Sequence, residues 1–189
     1  PPTYSLRAPP VHRAHRSQSS RGDQKRSPKH RHKHKDPEYE KTKSFLHRCQ
    51  LVYQFFPQLN GVEFRDFPTA VLAVRRAIAT NEVLIRNIYA SFLDEEAPPN
   101  ALEPALLDSR WAWFRWVQCQ LLATLRIFQR YQCRIPDPPT SKVLLRAEHS
   151  MHDIDHVLLG SLAGGIATYD NEIAEDFQLI RPDGLLLSI

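Results

Sequence analysis

The chain has 189 residues, with 25 Lys and Arg against 21 Asp and Glu and a formal net charge of +4. That length accommodates one domain and a tail. No apolar run approaches the ~20 residues that cross a bilayer, and no signal-peptide pattern opens the chain, so no membrane partner is expected. The three cysteines, Cys49, Cys119 and Cys133, are odd in number and match no zinc spacing. Reduced thiols and an intracellular location are the expectation. The chain opens on Pro1-Pro-Thr rather than methionine, which suits an excerpt of a longer protein.

Charge is unevenly placed. Residues 1–41 hold 11 Lys and Arg against 4 Asp and Glu, which leaves 14 against 17 for the remainder. The net +4 is therefore a tail of +7 on a body of −3. Residues 1–37 lack apolar periodicity and are rich in Pro, Ser, Arg, Lys and His, as in Lys29-His-Arg-His-Lys-His-Lys35. Such a segment buries too little apolar surface to offset its ordering entropy, so a disordered basic arm is expected. It reads as a solvated linker or as an electrostatic arm for nucleic acid, with Lys29, Arg31, Lys33 and Lys35 neutralising phosphates. The alternating histidines offer a third, looser role in metal binding. No aromatic residue interleaves the run, so base stacking is not expected there.

Residues 38–189 read as the folded domain, mainly helical over 39–131. Phe45, Leu46, Cys49, Val52, Tyr53 and Phe56 recur at 3- and 4-residue steps until Pro57 stops them. Asn60-Gly61 marks a turn. Asp66 is a candidate N-cap for a helix carrying Pro68 in its first turn, with Val71, Leu72, Val74 and Ile78 on its apolar side. Ile85, Ile88, Tyr89 and Phe92 continue the helical period, and residues 94–103 are loop by composition. Asp108-Ser109 is expected to cap the most apolar helix, which runs to about Tyr131. Phe114, Val117, Leu121, Leu125 and Phe128 form one stripe, and Trp113, Trp116 and Leu122 widen it. A helix so apolar is expected at the centre, with its three tryptophans in the core rather than forming a ligand-stacking patch.

Residues 142–189 carry the chemistry. Val143-Leu-Leu145 fits either a buried strand or a first helical turn. The stretch from His149 then places His149, His152, Asp153, Asp155 and His156 on what reads as the opening of a helix over about 153–163. Gly164-Gly165 ends it, Ile166-Ala-Thr168 reads as a parallel strand, residues 171–176 as a short helix and residues 177–180 as another strand. Asp153 then serves as an N-cap or as a ligand aimed at a cleft. Asp170 serves as the cap of the next helix or as an acid at the end of a strand, where open α/β sheets place their ligands. Carboxylates of this kind hold Mg²⁺ or Mn²⁺ and activate water against a phosphodiester. The histidines read as a polar helix face. Their i,i+4 pairs, His149 with Asp153 and His152 with His156, also suit a metal or proton role.

The stretch Asp153, Val157-Leu-Leu-Gly-Ser-Leu-Ala-Gly-Gly-Ile-Ala-Thr-Tyr-Asp170, Phe177 and Ile180-Arg-Pro182 resembles the C-terminal third of a PIN domain. The resemblance implies a helix-rich three-layer α/β/α fold with a small, mostly parallel sheet. It also implies an Mg²⁺- or Mn²⁺-dependent ribonuclease with clustered acids. Asp153 matches the acid at the helix start, with Asp155 as the alternative ligand. Asp170 matches the acid after the strand, and Thr168 would orient it. The family's opening strand, apolar and ending in Asp, has only Val62-Glu-Phe-Arg-Asp66 to match it. The second acid, which comes from the middle helices, has Glu96, Glu103 and Asp108. The other functional class is a catalytically inactive interaction domain, PIN-like or helical, which the basic arm tethers to nucleic acid or to a protein partner.

Overall fold

The 3- and 4-residue apolar spacing becomes helix nearly throughout. The computed structural model describes residues 37–63, 65–96, 100–131 and 134–189. The basic run 29–35, with the contacts expected of Lys29, Arg31, Lys33 and Lys35, lies outside the described residues. In chain order the elements are α1 (Pro37–Gln50), α2 (Val52–Phe55), α3 (Phe67–Thr80), α4 (Glu82–Glu96), α5 (Ala112–Arg130), α6 (Ser141–Ala163), β1 (Gly165–Thr168), α7 (Asn171–Ile180) and β2 (Leu185–Ser188). Short 3-10 turns lie at Pro57–Leu59 and Pro104–Leu106. The result is a helix-rich fold with a small two-stranded parallel sheet. Among the described residues no helix is long and apolar enough to cross a membrane.

Helix α5 is the hub and touches α1, α2, α3, α4, α6 and α7. Its Phe114, Val117, Leu121, Leu122, Leu125, Ile127 and Phe128 are all buried, so this helix is packed on several sides. The tryptophans expected in the core lie instead at its edge: Trp111 and Trp113 are exposed and Trp116 is half-buried. Polar groups on such a helix must find partners inside the protein. Gln118 is fully buried, and its Nε2 donates to the carbonyls of Ile78 (2.9 Å) and Ala79 (3.1 Å) at the end of α3. Arg115 Nη1 donates to Ile180 O (2.6 Å), the last residue of α7, and to Gln118 Oε1 (3.1 Å). These two side chains satisfy carbonyls that a helix C-terminus leaves without partners.

Two local expectations are corrected. Residues 142–147 and 153–163 are not separate elements: α6 is one helix of 23 residues, with Thr140 capping it through Val143 N (3.4 Å). Its buried residues, Val143, Ala147, Ser150, Ile154, Val157 and Ser161, keep an unbroken 3- and 4-residue period. Asp153 therefore sits in the middle of the helix and cannot cap it. The second correction concerns residues 177–180, which form the last turn of α7 rather than a strand. Ile173, Phe177 and Ile180 are buried at helical spacing. The caps expected from Asp66 and Asp108 also differ. Asp66 precedes α3 without a side-chain cap bond, and α5 begins only after Trp111.

The C-terminal segment is a βαβ unit. β1 pairs in parallel with β2, from Gly165 opposite Leu185 to Thr168 opposite Ser188, and α7 supplies the crossover such a pair requires. Gly164 ends α6 with a left-handed φ of 81°, a conformation glycine adopts without steric penalty. Gly184 is required by space: a Cβ there would lie 2.4 Å from Phe177 Cζ and 3.0 Å from Arg181 O.

Gln118→Leu is expected to destabilise the fold by about 1–3 kcal/mol, because it leaves the Ile78 and Ala79 carbonyls without their donor. Chemical denaturation of parent and variant checks this, and an unchanged midpoint would show that α3 does not depend on the cap.

Candidate functional site

Three elements meet around an open cleft of about 720 Å³. α5 contributes Arg130, α6 contributes His149, His152 and Asp153, and the segment from β1 into α7 contributes Tyr169, Asp170, Asn171 and Glu172. Asp153 and Asp170, distant in sequence, thus line one cavity.

Asp170 is held firmly. Its Oδ1 accepts from the backbone N–H groups of Glu172 (2.8 Å) and Ile173 (3.3 Å), which makes it the N-cap of α7. Its own N–H donates to Thr168 Oγ1 (3.0 Å), and Thr168 is buried. Thr168 orients Asp170 through the backbone rather than by touching the carboxylate.

Asp153 is held loosely. Its nearest ionic partner is Arg126 Nη1, 4.0 Å from Oδ2. Burial pushes its carboxyl above the usual range, and the carboxylates of Asp170 and Glu172 push it the same way. Arg126 and His149 pull it back. The effect of Asp170 on Asp153 reflects their common cleft.

Behind the cleft lies an ion network that spacing alone did not single out. Asp176 on α7 is buried and pairs with Arg126 and with Arg75 Nη2 (3.0 Å). Arg126 Nη1 also lies 3.5 Å from Glu172 Oε2, and Arg130 Nη2 lies 2.8 Å from Glu172 Oε1. Glu172 is therefore the third acid at this cleft, and neither Glu103 nor Asp108 takes that place. Asp108 is engaged by Arg110 at 2.6 Å, and its carboxyl is lowered to about 2 by that hydrogen bond. Glu103 precedes the turn at Pro104–Leu106 and does not line the cleft. Glu96 ends α4 with a side chain outside the described set. A sequence signal existed: Arg126 and Arg130 stand i,i+4 on α5, and Glu172 and Asp176 stand i,i+4 on α7.

Asp155 is not brought to the cleft. It is exposed and lies about 200° around α6 from Asp153, and its charge acts on Cys119 instead. Cys119 and Cys49 are free and buried, and burial pushes both thiols up to about 12, where they are inert. Among the described residues, no three His, Cys, Asp or Glu side chains already converge as a metal-holding group.

Comparison with protein-family models, with curated proteins and with solved structures returns no match to this chain.

Two outcomes follow from these contacts. The folded-state pKa of Asp153 lies above its unfolded value, so ionising Asp153 costs stability as the pH rises from ~4 through the folded value. Asp153→Asn should melt higher than the parent at pH 7, with the gain shrinking as the pH falls through the folded value of Asp153 towards ~4 and absent below that. Thermal melts across that range check the sign. Asp176→Asn should cost about 3–5 kcal/mol, because it leaves the largely buried Arg126 without its closest counter-charge. Urea denaturation measures that loss.

Proposed function

We propose that the cleft is a PIN-like, metal-dependent phosphodiester-hydrolysing site that acts on RNA. The observation that carries the reading is the shared cleft of Asp153 and Asp170. The donor set suits a hard divalent ion. Asp170 uses Oδ1 to hold α7, and its Oδ2 makes no hydrogen bond among the described residues. Asp153 has only the 4.0 Å contact with Arg126. Each carboxylate thus presents an oxygen of the class that binds Mg²⁺ or Mn²⁺.

A bound Mg²⁺ or Mn²⁺ supplies water activation and charge compensation at the scissile phosphate. Asp153 and Asp170 hold the ion in this reading, and Asp155 takes no part. Thr168 keeps the Asp170 backbone fixed. Arg130, exposed beside Glu172, stands where a guanidinium can meet a phosphate oxygen. The basic run 29–35 raises the local concentration of RNA without reading its sequence.

The three-layer α/β/α, PIN-like assignment is part of this proposal. It is supported by the βαβ order of β1, α7 and β2, with Asp170 at the carboxyl end of a parallel strand, where such folds bind ligands. A second reading, an interaction domain without catalysis, is favoured by a different observation. An open apolar groove of about 300 Å³ is formed by Ala112, Trp113, Trp116 and Leu158, and Trp111 and Trp113 remain 45% and 43% exposed. Exposed aromatic surface of this kind is common at protein interfaces. In that reading the arm tethers the domain to nucleic acid or to a protein partner.

Asp170→Asn separates the two, because asparagine caps a helix as well as aspartate does. With Mn²⁺ and a generic single-stranded RNA, the parent should cleave, and Asp170→Asn and Asp153→Asn should each lose about 100-fold or more. Equal cleavage by parent and variants, or none by the parent, rejects the hydrolase.

A further inference from the structure

His149, His152 and Asp153 stand at i, i+3 and i+4 on α6, so they share one helix face with Cβ atoms about 5–6 Å apart. All three line the wall of the cleft, and Asp170 lines it from the β1–α7 turn. An i,i+4 pair of donors on one helix face is the spacing at which a helix offers two ligands to a single ion. His149 with Asp153 has that spacing. Both histidines are exposed, and neither makes a hydrogen bond or ion pair among the described residues, so their imidazoles can turn into the cleft without giving up either kind of bond.

The donor types around the cleft point the same way. A site for Mg²⁺ relies on uncompensated carboxylates and retained water. Here Glu172 is matched by Arg126 and Arg130, and Arg126 also approaches Asp153. The arginines oppose Mg²⁺ and Zn²⁺ alike, because both carry the same charge. Imidazole nitrogen favours ions of the zinc class over Mg²⁺, so the two histidines decide between them. Two imidazoles and two carboxylates would complete the four-coordinate shell that zinc prefers.

We propose that His149 and His152 join Asp153 and Asp170 as ligands and make the cleft selective for Zn²⁺-class ions over Mg²⁺. This rests on the reading of Asp153 and Asp170 as metal ligands, and it names a different ion from the one the PIN resemblance implies. In the described conformation the four side chains are not yet gathered on one point. Binding therefore requires the two exposed histidines to change rotamer.

The test uses the full chain and needs no activity. Affinities for Zn²⁺ and Mg²⁺ are measured by calorimetry, with thermal melts in parallel, for the parent, Asp170→Asn, Asp153→Asn and the double variant His149→Asn/His152→Asn. Binding elsewhere on the chain, including at His30, His32 and His34, is common to all four proteins, so differences between them belong to the cleft. The expected result is a Zn²⁺ site in the parent, Zn²⁺ affinity at least 10-fold weaker in the double histidine variant with its Mg²⁺ response unchanged, and loss of the site in both aspartate variants. Should the double histidine variant match the parent for Zn²⁺ while the aspartate variants lose binding, the histidine assignment falls and the carboxylate site stands. Should the aspartate variants bind every ion as the parent does, both fall.

Discussion

A helix packed on several sides has to neutralise, inside the protein, each polar group that those sides carry. α5 is such a helix, and the fold follows from how it meets that demand. Its apolar residues touch six other helices, and three of its polar residues each tie down a neighbour. Gln118 closes the end of α3, Arg115 closes the end of α7, and Arg126 engages Glu172 and Asp176 on α7. None of these groups can be left alone, because an unpaired buried amide or guanidinium costs more than a hydrogen bond returns. The apolar stripe sets where α5 lies, and its polar exceptions set which helices end against it.

The same arginine that fixes α7 shapes the cleft. Arg126 is drawn inward by Asp176, and Arg75 from α3 meets the same carboxylate, so α3, α5 and α7 are joined at one buried point. Such a cluster is weak as a source of net stability but unforgiving of a missing partner. It gives the outer residues of α7 a rigid base. Asp170 begins that helix and is pinned twice, by the α7 N–H groups it caps and by Thr168. One wall of the cavity is therefore stiff, and the α6 wall, with its exposed histidines, is the adaptable one.

Much of this was legible in the sequence where one period dominates. The 3- and 4-residue spacing from Phe45 to Phe56 and from Phe114 to Phe128 marks helices, and Gly164-Gly165 marks the stop before β1. The errors arose where a local polar cluster outweighed the period. His149 to His156 looked like a helix opening because acids and polar residues favour first turns. Val143, Ala147, Ser150, Ile154 and Val157 carry the helical period straight through it on the buried face. Residues 177–180 looked like a strand because Phe, Leu and Ile suit both states over four residues, and only Ile173 and Asp176 behind them decide for helix. Glu172 had only the matching i,i+4 charge pairs on α5 and α7 to point to it. Its place at the cleft depends on Arg126 and Arg130 from another element, and periodicity within one segment says nothing about partners in a second.

Each acid at the cleft can be asked what structural work it does. Asp176 balances two partly buried arginines, Glu172 pairs with Arg126 and Arg130, and Asp170 starts α7 with one of its two oxygens. Asp153 has no comparable employment. It caps nothing, lies mid-helix, makes no hydrogen bond among the described residues and comes no nearer than 4.0 Å to a cation. Its surroundings disfavour its charge, first by burial and then by two neighbouring carboxylates. A side chain whose ionisation costs stability, in a cleft, without a structural return, is the kind that binding or chemistry retains. Asp153, rather than the more conspicuous histidines beside it, is therefore the residue in this chain that most requires a functional explanation.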